Sequence, residues 1–263
     1  MKNTLNLFSA DQVREPRRLK DELRFYTLPP KGVPHEYIVV NPKSFNQLSQ
    51  RDFSHAICDS GVHFFYENPT AKDYPAGYLE SYLEKARYLA SSFGDKVWVT
   101  IPDYPDDYHP GQFGDNVQKT LENVERFSKI TGINWMPTIQ SSYRSVSSFE
   151  YCCKEFQRMG DFERIAIGTV CKIRDVEFII RCCRTARKFF PKAWIHAFGP
   201  PLNVVPSIRY FVNSFDSAAW TFPRKPHYPS CKTAEERRKY FFAFKCILEE
   251  KLEFNNTSIL DFV

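Results

Sequence analysis

The sequence predicts an α/β fold, a single irregular (β/α)8 TIM barrel. Short runs rich in β-branched and aromatic residues alternate with amphipathic helical segments along most of the chain. Unusual polar or glycine residues stand just after almost every predicted strand. No Gly-x-Gly-x-x-Gly follows an early strand, which weakens the alternative of a dinucleotide-binding open sheet. Repeated β–α units imply parallel strands, because a parallel pair needs a long crossover and a helix usually supplies it.

The predicted strands, in order, are "RFYTL" (24–28), "EYIVVN" (36–41), "HAIC" (55–58) and "KVWVTI" (96–101). "NWMPTI" (134–139), "RIAIG" (164–168), "AWIHAF" (193–198) and "SFDSA" (214–218) follow. Helical spacing over 77–93 puts Leu79, Leu83, Ala86 and Ala90 on one face. Over 115–132 it aligns Val117, Leu121, Val124 and Phe127, and Gly132 suits a helix C-cap. Two further helices are expected over 174–190 and 233–252. The whole chain, 1–263, reads as one domain, with 1–30 as an N-terminal extension and 254–263 as a tail.

Composition narrows the function classes. The hydrophobic fraction of 43% and charged fraction of 25% are those of a globular protein. No apolar run reaches the roughly 18 residues of a membrane span, and the N-terminus lacks the apolar core of a signal peptide. A cytoplasmic location is expected. The eight cysteines show no Cys-x-x-Cys spacing, and the adjacent pairs Cys152–Cys153 and Cys182–Cys183 fall in helix-like segments. Buried free thiols are therefore expected rather than disulfides or zinc. Residues 1–131 carry 16 basic against 18 acidic side chains, and the remainder 20 against 13. A basic half, including Arg187, Arg224, Lys225, Arg237 and Arg238, points to a polyanionic partner.

In a parallel barrel the C-terminal strand ends share the rim that carries active sites. Here that rim holds Asp59-Ser60-Gly61, Asp103, Gln140, Gly168-Thr169, His196 to Gly199, and Asp216. Asp59 and Asp216 come from well-separated strands. Two facing carboxylates suit glycosidic-bond chemistry, in which one attacks the anomeric carbon and the other moves protons. Asp103 and Gln140 can read the edge of a planar base, and His63, Phe64 and Phe198 can stack on its faces. Asp216 in "SFDSAAWTFPR" is either a structural cap or a reacting group, and its small neighbours leave room for a sugar.

The stretches "DSGVHFF", "MPTIQSS", "RIAIGTVC", "IHAFG" and "SFDSAAW" stand in the order and rough spacing of tRNA-guanine transglycosylases. The chain resembles still more their relatives that insert 7-deazaguanine into DNA, the DpdA family, through "IGTVCK" and "FDSAAWT". The resemblance spans roughly residues 36–225. It implies an irregular TIM barrel that exchanges guanine in DNA for a free 7-deazaguanine, with tRNA as the alternative substrate and a non-catalytic barrel subunit as another reading. It makes Asp216 the nucleophile and Asp59 the general acid/base. Asp103 and Gln140 become base-edge readers, Gly168 and Thr169 offer backbone groups, and His63 and Phe198 sandwich the base. The tRNA-directed relatives commonly form homodimers. Two departures stand out. The family's glycine pair after the reading glutamine is Ser141-Ser142 here, an expected narrowing of the pocket. The zinc site of the tRNA enzymes is reduced to His227, Cys231 and Cys246, so no structural zinc and no cofactor are expected.

Overall fold

The computed structural model describes residues 23–221 and 233–257. Among the described residues nine short strands are β1 (Arg24–Tyr26), β2 (Tyr37–Val40), β3 (His55–Cys58), β4 (Val97–Thr100), β5 (Trp135–Met136), β6 (Thr138–Ile139), β7 (Arg164–Ile167), β8 (Trp194–Ala197) and β9 (Ser214–Asp216). The helices are α1 (His63–Glu67), α2 (Tyr78–Phe93), α3 (Asn116–Ser128), α4 (Val146–Met159), α5 (Val176–Phe189), α6 (Val205–Ile208) and α7 (Ala234–Thr257). All strand pairs are parallel, in the orders β1-β9-β8-β7-β6 and β2-β3-β4-β5. The result is an α/β fold with helices alternating with parallel strands.

The single expected strand over 134–139 is broken at Pro137, which has no N–H to give a ladder. The break hands the chain between sheets: Met136 accepts from Ile101 N–H, and Pro137 accepts from Ala166 N–H. At the other edge Thr27 donates its N–H to Tyr37 and accepts from Val39 N–H. Hydrogen bonds thus connect the two sheets at both edges, an arrangement compatible with a barrel.

Alternation along each strand divides the apolar residues into two sets. Tyr26, Ile57, Trp98, Met136 and Ala166, from strands of both sheets, pack into one cluster. Their neighbours Phe25, Ala56, Cys58, Val97, Val99, Ile165 and Ile167 join the larger cluster that the helices cover. β3 and β4 are buried along their whole length, as parallel strands covered on both faces must be.

Two sequence expectations shift by a residue or more. The buried face of α2 is Tyr82, Ala86 and Leu89, with Leu79 and Leu83 partly buried, because the Tyr82 hydroxyl reaches inward to the Thr100 carbonyl. α3 ends at Ser128 with Lys129 as its C-cap residue, so Gly132 serves the following turn instead. α4, α1 and the short α6 complete the helices that the sequence pattern outlined only in part. Five cysteines are buried free thiols, Cys171 is half-buried and Cys246 is exposed.

Arg187, counted above with the basic half, is half-buried and works as an internal staple. Its guanidinium donates to the carbonyls of Phe211, Phe190, Pro191 and Ala193 and to Asn213 Oδ1 at 2.6 Å. Asn213 Oδ1 also accepts from Ile195 N–H, so one side chain locks the end of α5 to the entries of β8 and β9. Replacing it with Met leaves those acceptors without their charged donor. Arg187→Met is expected to cost about 3 kcal/mol, lowering Tm by roughly 6–10 °C, a loss that calorimetry will measure and that Lys will not restore.

Candidate active site

The C-terminal strand ends converge on one cavity. Of the residues that the sequence placed on the rim, Asp59 and Ser60 (after β3), Asp103 (beyond β4) and Gln140 (after β6) line it. Gly168 (after β7), Phe198 and Gly199 (after β8) and Asp216 (the last residue of β9) complete the set. Its volume of about 80 Å³ is several times what one water needs.

Asp103 is buried at the centre of the polar network. Its Oδ1 accepts from Ser60 Oγ at 2.9 Å and its Oδ2 from Gln140 Nε2 at 2.6 Å. Burial pushes its carboxyl up to about 7, opposed by the Gln140 hydrogen bond and aided by the charge of Asp59. Gln140 lies flat across Gly168, where any Cβ would strike the amide nitrogen. Its Oε1 is buried in the cavity wall without a hydrogen-bond partner among the described residues. A buried acceptor left open costs free energy that a ligand N–H would recover.

Asp59 is half-buried, and its Oδ1 accepts from Gly61 N–H at 2.6 Å. Burial raises its carboxyl to about 6; the Gly61 hydrogen bond opposes this, and the charge of Asp216 adds to it. Asp216 does not cap its own turn. Its Oδ1 accepts instead from Gly199 N–H at 2.8 Å, at a glycine with φ +55° whose missing Cβ makes room for Cys171 Sγ.

Behind Asp216 lies a relay that the sequence did not reveal. The fully buried His196 holds Nε2 3.4 Å from Asp216 Oδ1, within ion-pair reach but outside hydrogen-bond alignment. Its Nδ1 is 2.9 Å from Ser214 Oγ, which accepts from Trp194 Nε1 at 2.9 Å. With the indole N–H filling one lone pair, the serine hydroxyl is free to donate to Nδ1.

Other expected site residues stand elsewhere. His63 opens α1 with its side chain 57% exposed, stacked on Tyr66 and 3.4 Å from Glu67 Oε1. Phe64 packs edge-on against Phe65, away from the cavity wall. Thr169 turns its hydroxyl to Ser141 Oγ at 2.7 Å, so Ser141 does not narrow the cavity and Thr169 ties two loops together. Arg238 donates to the Lys31 carbonyl, and neither Arg237 nor Arg238 borders the cavity. Arg224, Lys225, His227 and Cys231 lie outside the described residues. Among the described residues no group of three side chains is arranged to hold a metal, and no helix is long and apolar enough to cross a membrane.

The cavity also recruits Val62, Thr100, Pro105, Tyr108 and Cys171, which sequence reasoning missed. Only Cys171 carried a signal, as part of "IGTVCK". No protein-family model and no curated protein matches the chain.

The shifted acid at the centre of the cavity gives a stability signature. Between about pH 4 and 7 folded Asp103 holds a proton that the unfolded chain has released, so stability falls as pH rises through that window. Asp103→Asn removes this slope and is expected to leave the fold about 2 kcal/mol more stable at pH 8. Urea unfolding of both proteins at pH 5 and pH 8 measures it; parallel pH dependences would show that Asp103 is not the buried acid described.

Proposed function

We propose that this protein is a DNA-guanine transglycosylase on an irregular (β/α)8 barrel, exchanging guanine for a free 7-deazaguanine through a covalent aspartyl intermediate. The observation that carries the reading is the pairing of two carboxylates, Asp59 and Asp216, with a base-reading pair, Asp103 and Gln140, in one small cavity. Closure of the barrel is supported by the hydrogen bonds at Thr27 and Pro137 and by the apolar cluster drawn from both sheets. The resemblance of "DSGVHFF", "MPTIQSS" and "SFDSAAW" to the transglycosylases points the same way.

In this mechanism the guanine nucleotide is flipped out or already single-stranded, because a stacked base cannot enter a rim cavity. Ionised Asp103 accepts the ring and amino N–H groups of guanine, and Gln140 Oε1 gains the donor it lacks. Asp216 attacks C1′; as the oxygen–carbon bond forms, the bond to N9 breaks and its electron pair leaves with the base. Asp59 supplies the departing base with a proton, a role suited to a carboxyl near 6. The incoming 7-deazaguanine then gives its N9 proton to Asp59, and N9 displaces Asp216 from C1′. Two displacements retain the β configuration. His196 and Gly199 both address Oδ1 of Asp216, which leaves Oδ2 to attack.

Asp216→Asn preserves the hydrogen bond from Gly199 and removes the nucleophile. It is expected to fold and to bind DNA, but to exchange no guanine and to form no covalent adduct when the incoming base is withheld. Labelled-guanine exchange into DNA and into tRNA, with denaturing gels for the adduct, tests this. A fully active Asp216→Asn protein would reduce the residue to a structural role, and exchange into tRNA alone would assign the other substrate.

The same reading predicts a pH dependence of base binding. Guanine donates to ionised Asp103, which in the empty cavity takes up a proton below about pH 7. Affinity for the free base is therefore expected to fall up to about tenfold per pH unit below that point. Calorimetric titration with 7-cyano-7-deazaguanine at pH 8, 7 and 6 measures it, and an affinity constant across that range would remove Asp103 as the reader.

A further inference from the structure

We propose that the surface ring stack His63–Tyr66–His109, with Lys172 against it, is a docking platform for single-stranded DNA beside the base-binding cavity. It rests on the functional reading above, which supplies the nucleic acid, and it extends the site to the nucleotides flanking the flipped one.

One short helix and two loops build the platform. His63 and Tyr66 stack at 5.3 Å with an interplanar angle of 28°. Tyr66 and His109 lie at 6.2 Å and 15°, and His109 Nε2 contacts the Tyr66 carbonyl at 3.2 Å. Lys172 Nζ stands 4.7 Å from the Tyr66 ring centre and 5.8 Å from that of Tyr108. Tyr66 is 46% exposed. His63 and Tyr66 are exposed and His109 is half-buried, so the ordered stacking has a cause beyond burial.

Its position supplies that cause. Val62, Tyr108 and Cys171 line the cavity, and each is followed directly in sequence by a platform residue, His63, His109 and Lys172. The platform begins where the cavity wall ends. A base held in the cavity leaves its sugar and both neighbouring nucleotides outside, on that rim. Flat exposed rings stack on any base, and an ammonium group beside them meets the phosphate between two nucleotides.

The platform is also held in place before anything binds. The buried carboxylate of Asp107 accepts from the Lys172 backbone N–H at 2.9 Å, joining the loop after β7 to the loop after β4. Asp106, also buried, accepts from Gly111 and Tyr143 N–H. Two buried acids thus fix loops whose outer surface is aromatic and cationic. Glu67 sits on the flank, paired with Lys43 and His63.

The test uses fluorescence anisotropy with a labelled thymidine decamer, which offers bases and phosphates but no guanine for the cavity. Tyr66→Ala and Lys172→Ala are each expected to weaken binding about tenfold, Tyr66→Phe to keep it, and Tyr88→Ala, a change of an exposed tyrosine on α2, to leave it unchanged. If wild type binds the decamer and both Ala variants bind equally well, the platform is overturned while the transglycosylase reading stands. If wild type binds neither the decamer nor a guanine-containing single strand, the nucleic-acid reading falls and the platform with it.

Discussion

Gathering carboxylates around one small cavity is the constraint to which the rest of the rim responds. Asp59, Asp103, Asp107 and Asp216 stand at or behind its wall, and an ionised carboxylate removed from water costs several kcal/mol unless donors face it. Most of the donors come from a different loop. Ser60 and Gln140 serve Asp103, Lys172 serves Asp107, Tyr143 serves Asp106, and Gly199 serves Asp216. The hydrogen bonds that make the acids tolerable are therefore the bonds that fix the loops against one another. Loop order and site chemistry have one physical origin.

The rim was legible in the sequence because a polar residue at the end of an apolar strand is a local signal. Asp59, Asp103, Gln140, Gly168, Phe198 and Asp216 could be placed from strand periodicity alone. Val62 and Tyr108, which also line the cavity, could not. α1 begins at His63, and a helix turns each successive side chain by about 100°. One residue therefore separates Val62, which lines the cavity, from His63, which leaves it. Tyr108 sits in an irregular loop with no period to read, and tertiary anchoring by Asp107 brings its neighbourhood to the cavity. The division of the expected 134–139 strand at Pro137 was not read from the sequence, although proline cannot continue a ladder.

Formal charge was the less faithful guide. The basic second half pointed to a polyanion, yet Arg187 is committed to backbone carbonyls, and Arg209 donates to the Leu252 carbonyl and to the Tyr210 hydroxyl. Arg24 and Arg164 lie over the rings of Trp194 and Trp98. A count of charges cannot separate a guanidinium that completes the fold from one that meets a phosphate. Burial and hydrogen-bond partners can.

The chain from Trp194 through Ser214 and His196 to Asp216 has a consequence of another kind. An indole whose N–H is held by a hydroxyl, three contacts from the carboxylate, can respond in emission to changes in that hydrogen bond. Trp194 is thus an optical probe built into the molecule. Its emission needs no label on the protein or its ligands, and a change at Asp216 would reach it through His196 and Ser214.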